Sequence, residues 1–482
     1  MHESTNEIVE LMNLLVVFGT RPEAIKLAPL ILKLRQQFKV KICVTGQHRE
    51  MLDQDLSVFK INSDFDLNLM KPNQNLTSLT SGVLEGVQGV LEKEHVDWVI
   101  VQGDTTTSMA AAIAAFYKKI NIAHVEAGLR TSEKYSPFPE EINRQLTSRL
   151  ADIHFAPTEK NRDSLIQENI PPEKIFVTGN TVIDALQWVL KNIPEPVWDL
   201  PFHPSEKRMI LVTGHRRENF GEGFQNICKA IKTLAVKNPN LEFVYPVHLN
   251  PNVQKPVKTL LANQHNIHLI EPLDYQKFVH FMNRSYFILT DSGGVQEEAP
   301  TIGKPVLVMR DTTERPEAVE AGTVMLVGTD QNQIVKNSQK LIYYLNDVKV
   351  IVDLGCGLGF TTALLSHIFP NAKVFGTNIK GTDQYKFCEK LSNSFNFKMI
   401  EEDDMPKHID LIFASEYFEH IEDAEQNIQK IIYKHNPKYL YLANSFNTKS
   451  VGHFLKYKFK GENSEVITDQ KNISRQFNNL LR

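Results

Sequence analysis

The sequence predicts an α/β fold built on parallel sheets, and three observations carry that expectation. Short apolar runs rich in Val, Ile and Leu recur along the chain, each followed by an amphipathic helical stretch. Several of the runs end in glycine-bearing turns of the kind that open a following helix. A length of 482 residues also exceeds one ordinary core and implies two or three domains.

The first set of strands reads as LLVVF (14–18), VKICVTG (40–46), WVIVQG (98–103), IAHVEA (122–127), IHFAPT (153–158) and IFVTG (175–179). Asn180 to Leu190 reads as a helix, and Pro194, Pro196, Pro201 and Pro204 mark a linker. A second set follows as MILVTG (209–214), LEFVYPV (241–247), IHLIEPL (267–273), YFILTD (286–291), PVLVMR (305–310) and VMLVG (324–328). The helical stretch IVKNSQKLIYYLND (334–347) leads without a linker into a third set that begins abruptly at Val348. Its strands are VKVIVD (348–353), AKVFGTN (372–378), FKMIEED (397–403), DLIFASE (410–416) and YLYLANS (439–445). The chain therefore divides into an N-terminal extension at 1–12 and α/β units at 13–190, 191–347 and 348–482.

Composition excludes several classes of partner. A formal charge of −4 with 23% charged residues gives no electrostatic ground for nucleic-acid binding. No apolar run approaches the roughly 18 residues of a membrane span, and MHESTNEIVEL lacks the pattern of a signal peptide. Cys43, Cys228, Cys356 and Cys388 are scattered without metal-ligand spacing, so a cytoplasmic protein with buried thiols and no metal is expected.

Chemistry concentrates in the turns after strands. Gly19-Thr20-Arg21-Pro22 follows the first, with Pro22 suited to the first helical position and Arg21 and Lys26 placed as cations for a diphosphate. Asp104 follows WVIVQG, Glu126 follows IAHV and His215 follows MILVTG; Glu140 and Glu141 lie in SPFPEEINRQ (136–145). Each has a plain structural reading as well. Asp104 suits a helix N-cap, Glu140 and Glu141 suit a helix N-terminus, and His215 beside Arg216 and Arg217 suits a surface cluster. In DSGGVQEEAPTIGKPVLVMRDTTERPEA (291–318), Ser292, Gly293 and Gly294 precede a helical stretch opening at Val295. Backbone N–H groups there favour an anion. Glu298 lies about a turn into that helix, within reach of a sugar diol, and Arg315 follows the next strand. A phosphate cradle, a diol-binding carboxylate and an Arg describe a nucleotide-sugar site.

GTRPEAIK, GDTTTS, HVEAGLRT, SPFPEEINRQ, TGHRREN, YPVHLNPNV and DSGGVQEEAP…RDTTERPEA, in this order, resemble the bacterial non-hydrolysing UDP-N-acetylglucosamine 2-epimerases over about residues 13–346. The resemblance implies two Rossmann-like domains in the arrangement of the B-type glycosyltransferases. It implies interconversion of UDP-GlcNAc and UDP-ManNAc for surface polysaccharide synthesis, and a homodimer. It places Asp104, Glu126 and Glu140 around the sugar and His215 near the diphosphate. Arg21, Lys26, Ser292, Gly293, Gly294, Glu298 and Arg315 fall on UDP, Phe278 against the base, and His248 on the substrate or effector side. The family usually continues beyond the equivalent of Asp347 into a helix that crosses back, a feature not visible in this sequence.

Inverting C2 of the sugar without a neighbouring carbonyl needs either transient oxidation by a nicotinamide or elimination of UDP to a glycal. Residues 1–347 carry no G-x-G-x-x-G fingerprint, so elimination without a cofactor is expected. A hydrolysing epimerase, a glycosyltransferase of the same fold and an inactive nucleotide-sugar-binding fusion are the alternatives. The third unit resembles a class I S-adenosylmethionine-dependent methyltransferase lacking two strands. That resemblance implies the cofactor at Asp353, Gly355, Gly357, Gly359 and Asn378, with support from EYFEHIED (416–423). Asn378 stands where such domains carry an acidic ribose ligand, and Asn offers no charge-assisted bond. An incomplete sheet without a part in the sugar chemistry is expected; an active domain would make the protein bifunctional.

Overall fold

The computed structural model describes residues 11–443 except 47–51, 53–55, 70–73, 314, 316–317, 320–322, 416 and 422, and the two strands 456–460 and 465–469. Most of the N-terminal extension, half of TERPEA, two residues of EYFEHIED and the final NISRQFNNLLR fall outside the described residues. The chain divides into two compact units, Met1–Asp199 with Leu273–Phe281, and Leu200–Pro272 with Met282–Arg482.

The first unit holds a seven-stranded sheet of β1 (Asn13–Phe18), β2 (Lys39–Val44), β3 (Phe65–Asp66), β4 (Trp98–Gln102), β5 (Asn121–Val125), β6 (Ile153–Ala156) and β7 (Ile175–Val177), in the order β3-β2-β1-β4-β5-β6-β7. Every pairing is parallel, as the alternation of strands and helices requires. Leu15, Val17, Val99 and Val101 form a core with Val83 and Val87 of the helix Leu76–Leu91 and the alanines of the helix Thr106–Tyr117. Those small side chains let the second helix lie close to the sheet.

The second unit contains two parallel sheets. One comprises β8 (Arg208–Thr213), β9 (Leu241–Pro246), β10 (Ile267–Ile270), β11 (Ser285–Thr290), β12 (Val306–Val308) and β13 (Val324–Leu326), in the order β10-β9-β8-β11-β12-β13. The other comprises β14 (Val350–Asp353), β15 (Lys373–Thr377), β16 (Phe397–Ile400), β17 (Leu411–Ser415) and β18 (Tyr439–Ala443), in the order β16-β15-β14-β17-β18. The strands β19 (Lys456–Lys460) and β20 (Glu465–Asp469) pair antiparallel as a separate ribbon. The two large sheets meet through the helix Gln331–Asp347. Asp347 accepts hydrogen bonds from the Tyr439 hydroxyl at 3.1 Å and Lys438 at 3.3 Å, and Tyr344 packs edge-on against Tyr439.

In each large sheet the strand order reverses once: between β1 and β4, between β8 and β11, and between β14 and β17. Turns leaving the carboxyl ends of those strands diverge and open a crevice, the usual ligand position in open parallel sheets. Two helix starts differ from the sequence reading. The first helix opens at Arg21, one residue before Pro22, and the helix after β11 opens at Gly293 rather than Val295. Both shifts put backbone N–H groups nearer the preceding strand.

Candidate functional site

The first unit assembles its site from turns far apart in sequence. After β1, Gly19 passes so near the hydroxyls of Thr45 and Thr107 that a Cβ would lie 2.2 and 2.6 Å from them. Thr20 then caps the helix Arg21–Leu34. Glu23, three residues on, accepts from the Thr20 N–H at 2.8 Å, the Thr20 hydroxyl at 2.7 Å and the Gly19 N–H at 3.1 Å. Its other oxygen accepts from the hydroxyls of Thr105 at 2.7 Å and Ser108 at 3.0 Å. One buried carboxylate thus ties the turn after β1 to the turn after β4. The sequence reading missed it, although the Thr20–Glu23 spacing is a capping-box signal.

Lys26, one turn into the same helix, reaches both oxygens of Glu126 at 2.7 and 2.6 Å. Glu126 also accepts from the side-chain amides of Gln102 and, at 3.4 Å, of Asn180. Its backbone φ is 59°, in the left-handed region that a β-substituted residue adopts at a cost. That cost is borne at the carboxyl end of β5, where the carboxylate is gripped from three sides. Beside it His124 is fully buried, its Nε2 2.8 Å from the Gly103 carbonyl oxygen, so that nitrogen carries the donated proton. Burial pushes the imidazole down to about 3, and it serves as a neutral strut.

Asp104 does not cap the helix that follows. Thr105 does, accepting from the Ser108 N–H at 3.0 Å, which leaves the Asp104 carboxylate to accept from Arg144 at 2.6 Å. Burial raises its pKa; Arg144 opposes this, and the carboxylates of Glu126 and Glu140 add to it. The acids at 140 and 141 separate in role. Glu141 is buried and accepts from the N–H groups of Thr131 and Ser132 at 3.1 and 3.2 Å, which folds the preceding loop. Glu140 Oε2 is buried with no hydrogen-bond partner among the described residues. Asp104, Glu126 and Glu140 therefore share one neighbourhood with Lys26 and Arg144. Arg144 was legible as the i+4 neighbour of Glu140 on a helix face. Arg21 opens the helix nearby, and Phe278 lies half-buried on the helix Tyr275–Arg284 within the stretch clustered with this unit.

In the second unit the centre is Asp291, directly after β11 and fully buried. One oxygen accepts from the N–H groups of His215 and Arg216, both at 2.8 Å, and from the Asn219 amide at 3.3 Å. The other lies 3.6 Å from His215 Nδ1. The imidazole of His215 stacks on His248 with centroids 5.3 Å apart. Burial lowers the His215 pKa, Asp291 raises it, and His248 and Arg216 lower it. Sequence reasoning singled out both histidines but treated Asp291 as part of a glycine motif.

Beyond Asp291, Ser292 takes the N-cap position without a side-chain bond to the helix, and Gly293 and Gly294 form its first turn. Neither glycine carries a side chain, and backbone N–H groups in the first turn of a helix are of the kind that favour an anion. The Glu298 carboxylate, buried, approaches that turn: a Cβ on Gly294 would lie 3.6 Å from it. Arg315 pairs with Glu297, and its N–H donates to the Thr313 hydroxyl at 3.1 Å. Thr313 in turn donates to Gln296 at 2.6 Å, so the two loops of the motif are joined.

The third sheet has the same glycine loop, but its polar groups bond to one another. The Asp353 carboxyl accepts from Thr362 at 2.7 Å and is pushed up to about 7 by burial. Asn378 donates to the Gly357 carbonyl at 2.8 Å, and Gly355 lies under the Tyr417 ring, where a Cβ would be 2.4 Å from Cδ2. Gly359 has φ 78° and opens the helix Phe360–Ile368. Among the described residues no group of three or more His, Cys, Asp or Glu could hold a metal, and no helix is long and apolar enough to cross a membrane.

Comparison with known proteins places most of the chain in one family. A family model described as UDP-N-acetylglucosamine 2-epimerase matches residues 31–352. The UDP-N-acetylglucosamine 2-epimerase of Salmonella typhimurium is 56% identical over 349 residues, 70% of this chain and 93% of that protein. The Escherichia coli K12 protein of the same name is 54% identical with the same coverage. Among solved structures, the Neisseria meningitidis UDP-GlcNAc 2-epimerase bound to UDP-GlcNAc matches with a TM-score of 0.65 and 54% identity, covering 70% of this chain and 92% of that one. The Methanocaldococcus jannaschii UDP-GlcNAc 2-epimerase matches with a TM-score of 0.59 at 35% identity, covering 68% and 92%.

Proposed function

Because the chain belongs to the UDP-N-acetylglucosamine 2-epimerase family, we propose that it interconverts UDP-GlcNAc and UDP-ManNAc without net hydrolysis. The observation that carries this reading is the gathering of Asp104, Glu126 and Glu140 with Lys26 and Arg144 at the reversal point of the first sheet. A carboxylate takes the C2 proton as the C1–O bond breaks; UDP leaves and a 2-acetamidoglucal remains. Return of UDP to C1 with a proton delivered to the opposite face of C2 gives the epimer. The acids stand in unlike surroundings, Glu126 against an ammonium and Asp104 with its pKa raised by burial, which suits a division into base and acid. In the second unit, the N–H groups of Gly293 and Gly294 suit the diphosphate, Glu298 the ribose and His215 with His248 the phosphate flank. Such a route needs no nicotinamide and no metal. A cytoplasmic homodimer serving surface polysaccharide synthesis fits this reading.

The experiment is turnover in D₂O followed by proton NMR. UDP-GlcNAc should yield UDP-ManNAc with deuterium at C2 in both recovered sugars. Epimerisation without exchange at C2, or a requirement for nicotinamide, would refute the elimination route. Release of free N-acetylmannosamine as the main product would move the protein to the hydrolysing class.

For residues 348–482 we infer a methyltransferase-like sheet outside the sugar chemistry. The strand order and the glycine loop support the likeness. The internal bonds of Asp353 and Asn378 speak against a loop kept ready for S-adenosylmethionine.

A further inference from the structure

Two consecutive backbone carbonyls, those of Gly103 and Asp104, are each held by a buried side chain from a different element. His124 Nε2 lies 2.8 Å from the Gly103 oxygen, and the Asn143 amide donates to the Asp104 oxygen at 3.0 Å. β4 ends at Gln102, so these carbonyls lie past the strand and side chains supply their donors. Gly103 has φ 69°. A glycine at that point leaves the backbone free to rotate, and a small rotation there would swing the Asp104 side chain.

The two holders come from the elements that carry the other two acids. His124 lies on β5, two residues before Glu126. Asn143 lies three residues after Glu140 on the helix Glu140–Leu150, and the i, i+3, i+4 spacing puts Glu140, Asn143 and Arg144 on one face. Arg144 donates to the Asp104 carboxylate at 2.6 Å. The same helix supplies Ser148, buried, with its Oγ 3.4 Å from His124 Nδ1. A proton on Nε2 faces the Gly103 carbonyl and leaves Nδ1 to accept from Ser148, which fixes the tautomer. Asp104 is therefore gripped at its carboxylate, its own carbonyl and the carbonyl before it. Each grip comes from an element whose position also sets Glu126 or Glu140.

We propose that Asn143 and His124 are positioning residues, a clamp on the Gly103–Asp104 backbone that holds the Asp104 carboxylate in register with Glu126 and Glu140. The inference rests on the epimerase reaction proposed above and adds to it two residues that act through Asp104 rather than on the sugar. Register matters because one acid must take a proton from C2 while another delivers one to the opposite face. A displacement of about 1 Å between such groups can cost about 100-fold in rate.

The test compares shape-matched variants of the full-length protein in D₂O. Asn143→Leu and His124→Met keep the side-chain size and remove the donor, whereas His124→Gln keeps a donor at nearly the same place. Proton NMR follows epimer formation together with deuterium entry at C2 of the recovered UDP-GlcNAc. A smaller folded fraction slows both rates equally and leaves their ratio unchanged; a displaced Asp104 alters the ratio, because proton removal and delivery use different acids. In Asn143→Leu and His124→Met, epimer formation should fall about 10–100-fold, the ratio should shift by about threefold or more, and KM should change less than about threefold. His124→Gln should stay within about threefold of the parent protein in each measure. An unchanged ratio in both donor-free variants, or an equal loss in His124→Gln and His124→Met, would overturn the clamp while leaving the reaction standing. A parent protein that epimerises without exchange at C2 would overturn the reaction itself, and the clamp with it.

Discussion

Replacing Asp291 tests whether the second crevice is held open by one buried carboxylate. Its Oδ2 accepts from two backbone N–H groups at 2.8 Å and one side-chain amide at 3.3 Å, all on the turn that carries His215. In Asp291→Asn the amide oxygen can keep the two backbone bonds, but each changes from charge-assisted to neutral. That difference is about 1 kcal/mol per bond, so a loss of about 2 kcal/mol is expected. Asp291→Ala instead leaves the donors without an acceptor in a site closed to water, and should cost about 3–5 kcal/mol. Tryptophan fluorescence would miss the effect, because Trp98, Trp188 and Trp198 all lie in the first unit. Amide hydrogen exchange of peptides covering β8 and β11 reads it directly, as roughly 30-fold faster exchange for Asn and more for Ala. The His215 imidazole supplies a second readout, since Asp291 raises its pKa and the Asn variant should titrate lower. Unaltered exchange in both variants, or a raised His215 pKa in Asp291→Asn, would show that the turn is held by something else.

Two further outcomes follow from the other sheets. Glu126→Gln keeps the shape of the β5 turn but removes the charge facing Lys26, and turnover should fall by about 100-fold or more while UDP affinity changes less than about twofold; paired rate and calorimetric measurements check this. Asp353 has a folded-state pKa of about 7, above its unfolded value, so its contribution to stability is complete below about pH 4 and is lost as pH rises to about 7. The loss amounts to about 4 kcal/mol by pH 7. Hydrogen exchange of Val350–Asp353, corrected for intrinsic rates, should show it, and Asp353→Asn should flatten the profile.

Parallel strands were legible because burial on both faces makes them continuous apolar runs. All seventeen strands read from the sequence appear in the three large sheets, with ends shifted by a few residues. What the sequence hid has physical reasons. Phe65–Asp66 is two residues long and cannot form a run, and KYKFK and EVITD are short segments that mix charged and apolar residues. The acids after β4 and β5 were legible by position, but their partners were not. Lys26 and Glu126 lie 100 residues apart, Asp104 and Arg144 40, and His215 and Asp291 76. No local period relates such pairs; only the reversal of strand order brings them together.

The third sheet shows why that reversal is not enough by itself. It repeats the central strand order of the other two, with a buried acid at the end of β14 and a glycine loop after it. What differs is how the polar groups are used. In the first sheet Glu140 keeps a buried oxygen without a partner among the described residues, and in the second the Gly293–Gly294 turn lacks a side-chain cap. Those groups have bonding capacity left for a ligand, at a cost to the empty protein. In the third sheet Asp353 is bonded to Thr362 and Asn378 to the glycine loop itself. An incoming cofactor would have to break those bonds before making its own, which lowers its net affinity by about the strength of the bonds displaced. Fold similarity therefore ranks the three crevices equally, whereas unspent hydrogen-bonding capacity separates the two that suit a nucleotide sugar from the one closed on itself.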